Sequence, residues 1–192
     1  MFDVLEGKLI RLRKARIGDH LSMLENVWSD ESVYKWMLFA PTFTEDEAIK
    51  RCERSIEFQK NRFAYFIADK TDDKAVGFCA VAETECGRYE ECGICIGARY
   101  QGRGYGKEAL LLLLKLAFVE LNAKDFRYGY FDDNEKSKKL ADRFGFVYDK
   151  TFEVTREWDA AKKTIISCVL TREKYFEKIR DSIYKNDSRR SV

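Results

Sequence analysis

Residues 96–117, IGARYQGRGYGKEALLLLLKLA, hold the residue types and spacing best suited to chemistry. Gly102, Gly104 and Gly106 fall within five residues, and a long apolar run follows them. Where a strand turns into a helix, the first helical N–H groups have no partner and lie at the positive end of the helix dipole. Glycines remove the side chains that would hold a ligand away, so such a turn can take a phosphate. One exposed anion–helix contact contributes about 0.3–1 kcal/mol, so several amides must act together. A glycine-rich turn into a core helix, with no ligand, is the plain alternative. A Walker loop needs G-x-x-x-x-G-K-S/T. Here Gln101 stands where its first glycine belongs, and Glu108 follows Gly106-Lys107. A dinucleotide fingerprint needs G-x-G-x-x-G, whose third glycine would fall on Lys107, and it opens the first β-α-β of its domain rather than a late one. What fits is Q-x-x-G-x-G at Gln101, Gly104 and Gly106.

Other catalytic sets do not assemble. The only histidine is His20, so there is no histidine triad. Cys92 and Cys95 have metal-ligand spacing, but no second Cys-x-x-Cys follows; no metal is expected. The six cysteines sit largely in apolar runs such as VGFCAVA and IISCVL, where cysteine behaves as a small hydrophobe. No base stands near enough in sequence to activate a thiolate.

The elements that position the loop follow from periodicity. KLIRLR alternates as a first strand. Asp19 is expected to cap a helix whose Leu21, Leu24 and Val27 or Trp28 face inward. Thr44 and Glu47 form a capping box that opens a helix to about Asn61. FAYFIAD and AVGFCAVAE read as a hairpin across KTDDK. YEECGICIGA is a strand that runs into the glycines. A helix over 107–121 leaves one polar stripe at Glu108, Lys115 and Asn122, and is otherwise buried. DFRYGYF is a strand, NEKSKKLADRF a short helix stopped by Gly145, and two antiparallel strands close the chain. The order predicts one α/β domain over 1–180 with a mixed sheet, a parallel crossover between 89 and 131, and a flexible tail over 181–192.

With 192 residues, 45% of them hydrophobic, one well-packed domain is expected. Lysine plus arginine number 35 and acidic residues 33, so the net charge of +2 argues against nucleic acid or a membrane surface as partner. The longest apolar run, residues 109–114, is far too short to span a bilayer. The N-terminus, MFDVLEGKLIRLR, lacks a signal-peptide apolar region, and a reducing cytoplasm with free thiols is expected.

Three stretches resemble the GNAT acyltransferases, whose acyl-CoA pyrophosphate loop reads Q/R-x-x-G-x-G/A, and more narrowly the RimJ/RimL branch. NEKSKKLADRFGF resembles its N-x-x-S-x-x-V/L-x-x-x-L/F-G-F. LEGKLIRLRKARIGDH resembles its opening, and ECGICIGARYQGRGYGKEAL its central strand and loop. The resemblance spans about residues 5 to 176. It implies the GNAT fold, a mixed and mostly antiparallel sheet of about seven strands flanked by helices, with the fourth strand (89–96) and fifth (126–131) splayed apart.

The resemblance also implies roles. Backbone groups of Ile94, Cys95 and Ile96 would pair with the pantetheine of acetyl-CoA. Gln101 and the amides of Gly102, Arg103, Gly104, Tyr105 and Gly106, with Lys107, would hold the pyrophosphate. Asn134 would hydrogen-bond to the pantetheine arm, although an Asn before a helix is also a common N-cap. Ser137 would face the thiol. Lys136, Lys138 and Lys139 would lie toward the ADP 3′-phosphate. Glu91 would be the general base, in competition with Glu83, Glu85 and Glu90. Many GNAT enzymes carry a tyrosine acid where this chain has Ala141, so Ser137 or water must replace it. The implied partners are acetyl-CoA and a primary amine walled by Trp36, Met37 and Phe39, with homodimerisation left open. The implied activity is acetyl transfer from acetyl-CoA to that amine; a non-catalytic acyl-CoA-binding module is the alternative.

Overall fold

The structure, a computed structural model, describes residues 2–187. Eight strands form one sheet: β1 (Val4–Glu6), β2 (Ile10–Arg13), β3 (Phe63–Asp69), β4 (Ala75–Glu85), β5 (Arg88–Ile96), β6 (Asp125–Phe131), β7 (Val147–Thr155) and β8 (Lys162–Thr171), in the order β1-β2-β3-β4-β5-β6-β8-β7. Every neighbouring pair is antiparallel except β5 and β6. The sequence pattern reveals seven of the eight. β1 is three residues long and too short to show alternation.

Among the described residues six α-helices flank the sheet: α1 (His20–Met23), α2 (Glu31–Tyr34), α3 (Glu45–Gln59), α4 (Tyr105–Lys115), α5 (Glu135–Phe144) and α6 (Arg172–Asp187). Thr44 caps α3 as expected, its hydroxyl accepting from the Glu47 amide. The first helix departs from expectation. One 3-10 turn (Ile17–Asp19), α1 and a π-helical turn (Leu24–Trp28) follow one another. Each changes the angular step per residue, so Met23, Val27 and Trp28 are buried and Leu21 is exposed. Asp19 makes no cap bond to α1; its carboxylate takes a two-pronged contact from the buried Arg13, at 2.7 and 2.8 Å. At the other end, α6 runs to Asp187, into the segment expected as a tail; 188–192 lie outside the described residues.

Two cores result. On one face α4 buries Ala109, Leu110, Leu113 and Leu114 against β2 to β6. On the other, α1, the π turn and α3 bury Met23, Trp28, Ala48 and Cys52 against Phe66 and Cys95. The polar stripe of α4 is partly spent inside the protein. Glu108 accepts from the backbone amides of Lys8, Leu9 (2.8 Å) and Ile10 (3.1 Å), pinning the β1–β2 turn.

Candidate active site

β5 and β6 pair only through Arg88 with Asp125, Tyr89 with Phe126 and Glu90 with Arg127. Beyond Glu90 the strands part, as expected from the resemblance. Part of the cause lies within β5. Cys79 pairs with Ile94 while Val81 pairs with Glu91, so the chain bulges at Cys92 and Gly93. Gly93 has φ +115°, which residues with a Cβ rarely adopt. Tyr89 and Ile96 are seven apart, so a regular strand would put them on opposite faces. Because of the bulge both join the α4 core, and Cys95 turns to the α3 side.

A cleft of about 2370 Å³ occupies the splay and continues under α3. It is lined by backbone and side chains of Ile94, Cys95, Ile96, Gln101, Gly102, Gly104, Tyr105, Gly106 and Lys107, by Asn134 and Ser137 from the other strand's side, and by Glu91 at its base. Twelve positions between 91 and 137 thus converge on one space.

The glycines divide by physical role. Gly102 (φ +77°) and Gly104 (φ +88°) make the left-handed turn that aims α4. Gly106 has no such excuse: a Cβ there would meet only Ile96 Cγ1, at an ordinary 3.8 Å. Its missing side chain leaves room in the cleft rather than relieving the fold. Among the described residues, the backbone N–H groups of 102 to 107 donate to no backbone carbonyl. This is a cradle for an anion.

Gln101 is placed by two bonds. Its Nε2 donates to the Ile96 carbonyl (2.9 Å), and its Oε1 accepts from Lys136 Nζ on α5 (2.8 Å). Tyr105 offers the cleft little beyond its backbone: its side chain is buried and its hydroxyl donates to Asp69 (2.6 Å). Arg103 does not line the cleft. Its guanidinium lies 5.3 Å over Tyr100 and faces the Tyr105–Asp69 pair, so of Arg103 only the backbone amide belongs to the cradle. Lys138 likewise points elsewhere, whereas Lys136, Lys139 and Arg143 share the cleft-facing side of α5. Positions 136, 139 and 143 follow helical spacing, a signal that could have separated them from Lys138 and added Arg143.

Asn134 is the N-cap of α5, its Oδ1 accepting from the Ser137 amide at 3.1 Å. The Ser137 side chain faces the hydroxyl of buried Tyr128, a cleft residue that the sequence did not single out. Tyr128 also feels the charge of Glu91, and burial drives its pKa upward. Of the four competing carboxylates, Glu83 and Glu85 stay at the exposed β4–β5 turn, where Glu83 accepts from Gly87 (2.8 Å) and Glu85 pairs with Arg88. Glu90 and Glu91 line the cleft. Burial pushes the Glu91 carboxyl up to about 8, with Glu90 adding to the rise; the amides of Gly93 and Gly129 oppose it. A carboxyl at that value can exchange protons near neutral pH. Cys95 is pushed up to about 12 by burial, so its thiol stays protonated and is no nucleophile. Among the described residues no group of three or more acidic, cysteine or histidine side chains could hold a metal, and no helix is long and apolar enough to cross a membrane.

The model of the acetyltransferase (GNAT) domain matches residues 10–147. An uncharacterized N-acetyltransferase p20 of Bacillus licheniformis is 28% identical over 170 residues, covering 85% of this chain and 92% of that protein. Among solved structures, a GCN5-related N-acetyltransferase from Brucella melitensis superposes with TM-score 0.78 at 20% identity, over 91% of this chain and 81% of that one. A putative ribosomal-protein-serine acetyltransferase from Vibrio cholerae gives 0.73 at 21% identity, over 88% and 97%. The splayed strands, the amide cradle and the match across most of its length agree: this chain belongs to the GNAT acetyltransferase family.

Proposed function

We propose that the protein is an acetyl-CoA-dependent N-acetyltransferase of the RimJ/RimL-like branch, acting on a primary amine. The observation that carries the reading is the convergence, in one cleft, of unpaired amides at the start of α4, the open inner edges of β5 and β6, and the half-buried carboxyl of Glu91. The N-acetyltransferase name of the Bacillus relative and the ribosomal-protein acetyltransferase among the structural neighbours support the acceptor chemistry and the branch.

The residues present fit the co-substrate. The amides of 102 to 107 and Lys107 suit a pyrophosphate. The open edge at Ile94 and Cys95 suits an amide-bearing arm, and Asn134 stands across from it. Acetyl-CoA supplies an activated acyl thioester. Glu91 takes the proton that the ammonium must lose before its nitrogen can attack. The new C–N bond forms as the C–S bond breaks, and the second proton that the nitrogen sheds is relayed to the departing thiolate through the Ser137 hydroxyl, beside Tyr128. Holding both reactants in the splay removes a large entropic barrier.

Calorimetric titration with acetyl-CoA, beside a Gly104→Glu variant, tests the reading. Micromolar binding by the wild-type protein, lost in the variant, is expected, followed by CoA release with an amine. No binding by the wild type would end the reading. Binding without turnover of any amine would leave an acyl-CoA-binding module.

A further inference from the structure

The half of the cleft away from the glycine loop lies under α3 and the segment 35–44. Three cations of α3 face it: Lys50, Arg51 and Arg54. Arg51 is the distinctive one. Its Cζ lies 4.3 Å over the Phe39 ring and 4.8 Å over the Trp28 ring. Its Nη1 donates to the Ala40 carbonyl and to Thr42 Oγ1, both at 2.8 Å. The guanidinium is therefore fixed in position and orientation.

What it lacks is a counter-charge. Among the described residues, the buried arginines each have one: Arg13 pairs with Asp19, and Arg156 with Asp159. Among the described residues no carboxylate pairs with Arg51, and the nearby Cys95 thiol is protonated and brings no charge. Burial and the nearby Arg54 pull its pKa down to about 10. A cation held this way, without a partner, costs stability that an anion would restore. A planar guanidinium between aromatic rings suits a carboxylate, which it can grip in two-pronged fashion.

The placement relative to the reacting centre matters too. Arg51 on α3 and Glu91 on β5 line the same continuous cleft. An amine near Glu91 and an anion on Arg51 would thus be parts of one small molecule. Trp36, Met37, Phe39 and Phe78 supply apolar walls around it. The same three cations of α3 repel a polyamine.

We propose that Arg51 recognises the carboxylate of the acceptor, and that the acceptor is a small amine carrying a carboxylate and an apolar body, such as a free amino acid or a short peptide acid. This inference rests on the N-acetyltransferase reading and adds the substrate class to it. It gives Arg51 a specificity role at the substrate, beyond holding the segment 40–42.

The test compares matched acceptors: phenylalanine with phenylalaninamide, glycylphenylalanine with its amide, and spermidine. CoA release is followed for the wild type, Arg51→Gln and Arg51→Lys, with acetyl-CoA binding by calorimetry and melting curves for each. The expected result is a kcat/KM for the acids about tenfold or more above that for the amides, the size of one charged hydrogen-bonding contact. The preference should collapse in Arg51→Gln through a higher KM and survive in part in Arg51→Lys. Preference of the wild type for the amides or spermidine, turnover of none of the acids, or an undiminished preference in Arg51→Gln would overturn the proposal. Should Arg51→Gln fail to fold, the wild-type ratio and Arg51→Lys decide alone. Failure of the wild type to bind acetyl-CoA would instead sink the proposed function itself.

Discussion

Glu91 is the residue on which the proposed chemistry turns, and its burial makes a signed prediction. Its folded pKa of about 8 lies above its ordinary value of 4.5. Between these values the folded protein holds a proton that the unfolded chain releases, so this contribution to stability is full below about pH 4.5 and is lost as pH rises through about 8. A neutral isostere does not lose it. Glu91→Gln should therefore melt within a degree or so of wild type near pH 4 and several degrees above it near pH 9. The catalytic consequence runs the other way. As a base Glu91 works only when ionised, so wild-type kcat/KM should climb through about pH 8. Glu91→Gln should lower it by about 10²–10⁴ and flatten that limb. A Glu91→Gln variant of full activity would move the base to Glu90, the neighbouring carboxylate that also lines the cleft. The resemblance put Glu91 first, but the residues alone did not separate it from Glu83, Glu85 and Glu90. The choice depends on depth in a cleft that exists only once β5 and β6 part. Tyr128 was hidden for a related reason: within DFRYGYF it reads as one more core aromatic, and only the fold brings its hydroxyl to Ser137.

At the level of elements, α4 serves two ends with two neighbouring positions. Gly106 faces the cleft, and Glu108 holds the β1–β2 turn. Variants should separate these duties. Gly106→Val adds bulk where the protein has room, so its melting temperature should fall little while acetyl-CoA binding weakens by about tenfold or more. Glu108→Ala removes a charged acceptor from three backbone amides. It should cost about 2 kcal/mol, or roughly 5 °C in Tm, with acetyl-CoA binding retained. Calorimetry and melting curves on both variants check the pair; equal loss of binding in both would refute the division. The element boundaries that periodicity read well, such as β3 and β6, have strong alternation or flanking turns. Those that it misread have a changing helical step, as between Ile17 and Trp28; at β5 it gave the bounds but not the bulge at Gly93. Neither leaves a fixed period in the sequence. The stripe residue Glu108 looked like a solvated charge because its partners lie about 100 positions away.

Across the whole molecule, a sheet with two open inner edges at its centre is unusual, because unpaired strand amides and carbonyls seek partners. The family's co-substrate carries amides of its own along the arm that ends in the thioester, and an extended arm could pair there as an added strand does. Net charge gave no hint of this arrangement: +2 for the chain hides Lys107, Lys136, Lys139 and Arg143 gathered at one end of the cleft and Lys50, Arg51 and Arg54 at the other. If acetyl-CoA closes the splay, the effect should be visible without turnover. At about a hundred times Kd, binding to the folded state alone adds about 2.7 kcal/mol, which for a chain of this size raises Tm by roughly 5–10 °C. Amide hydrogen exchange should slow at 94–96 and in the loop 102–107, and remain unchanged in the β7–β8 hairpin. Slowing spread evenly over the sheet would mean general stabilisation without insertion. Slowing confined to the loop would mean that the phosphates dock while the strands stay open, leaving Glu91 with no thioester to serve.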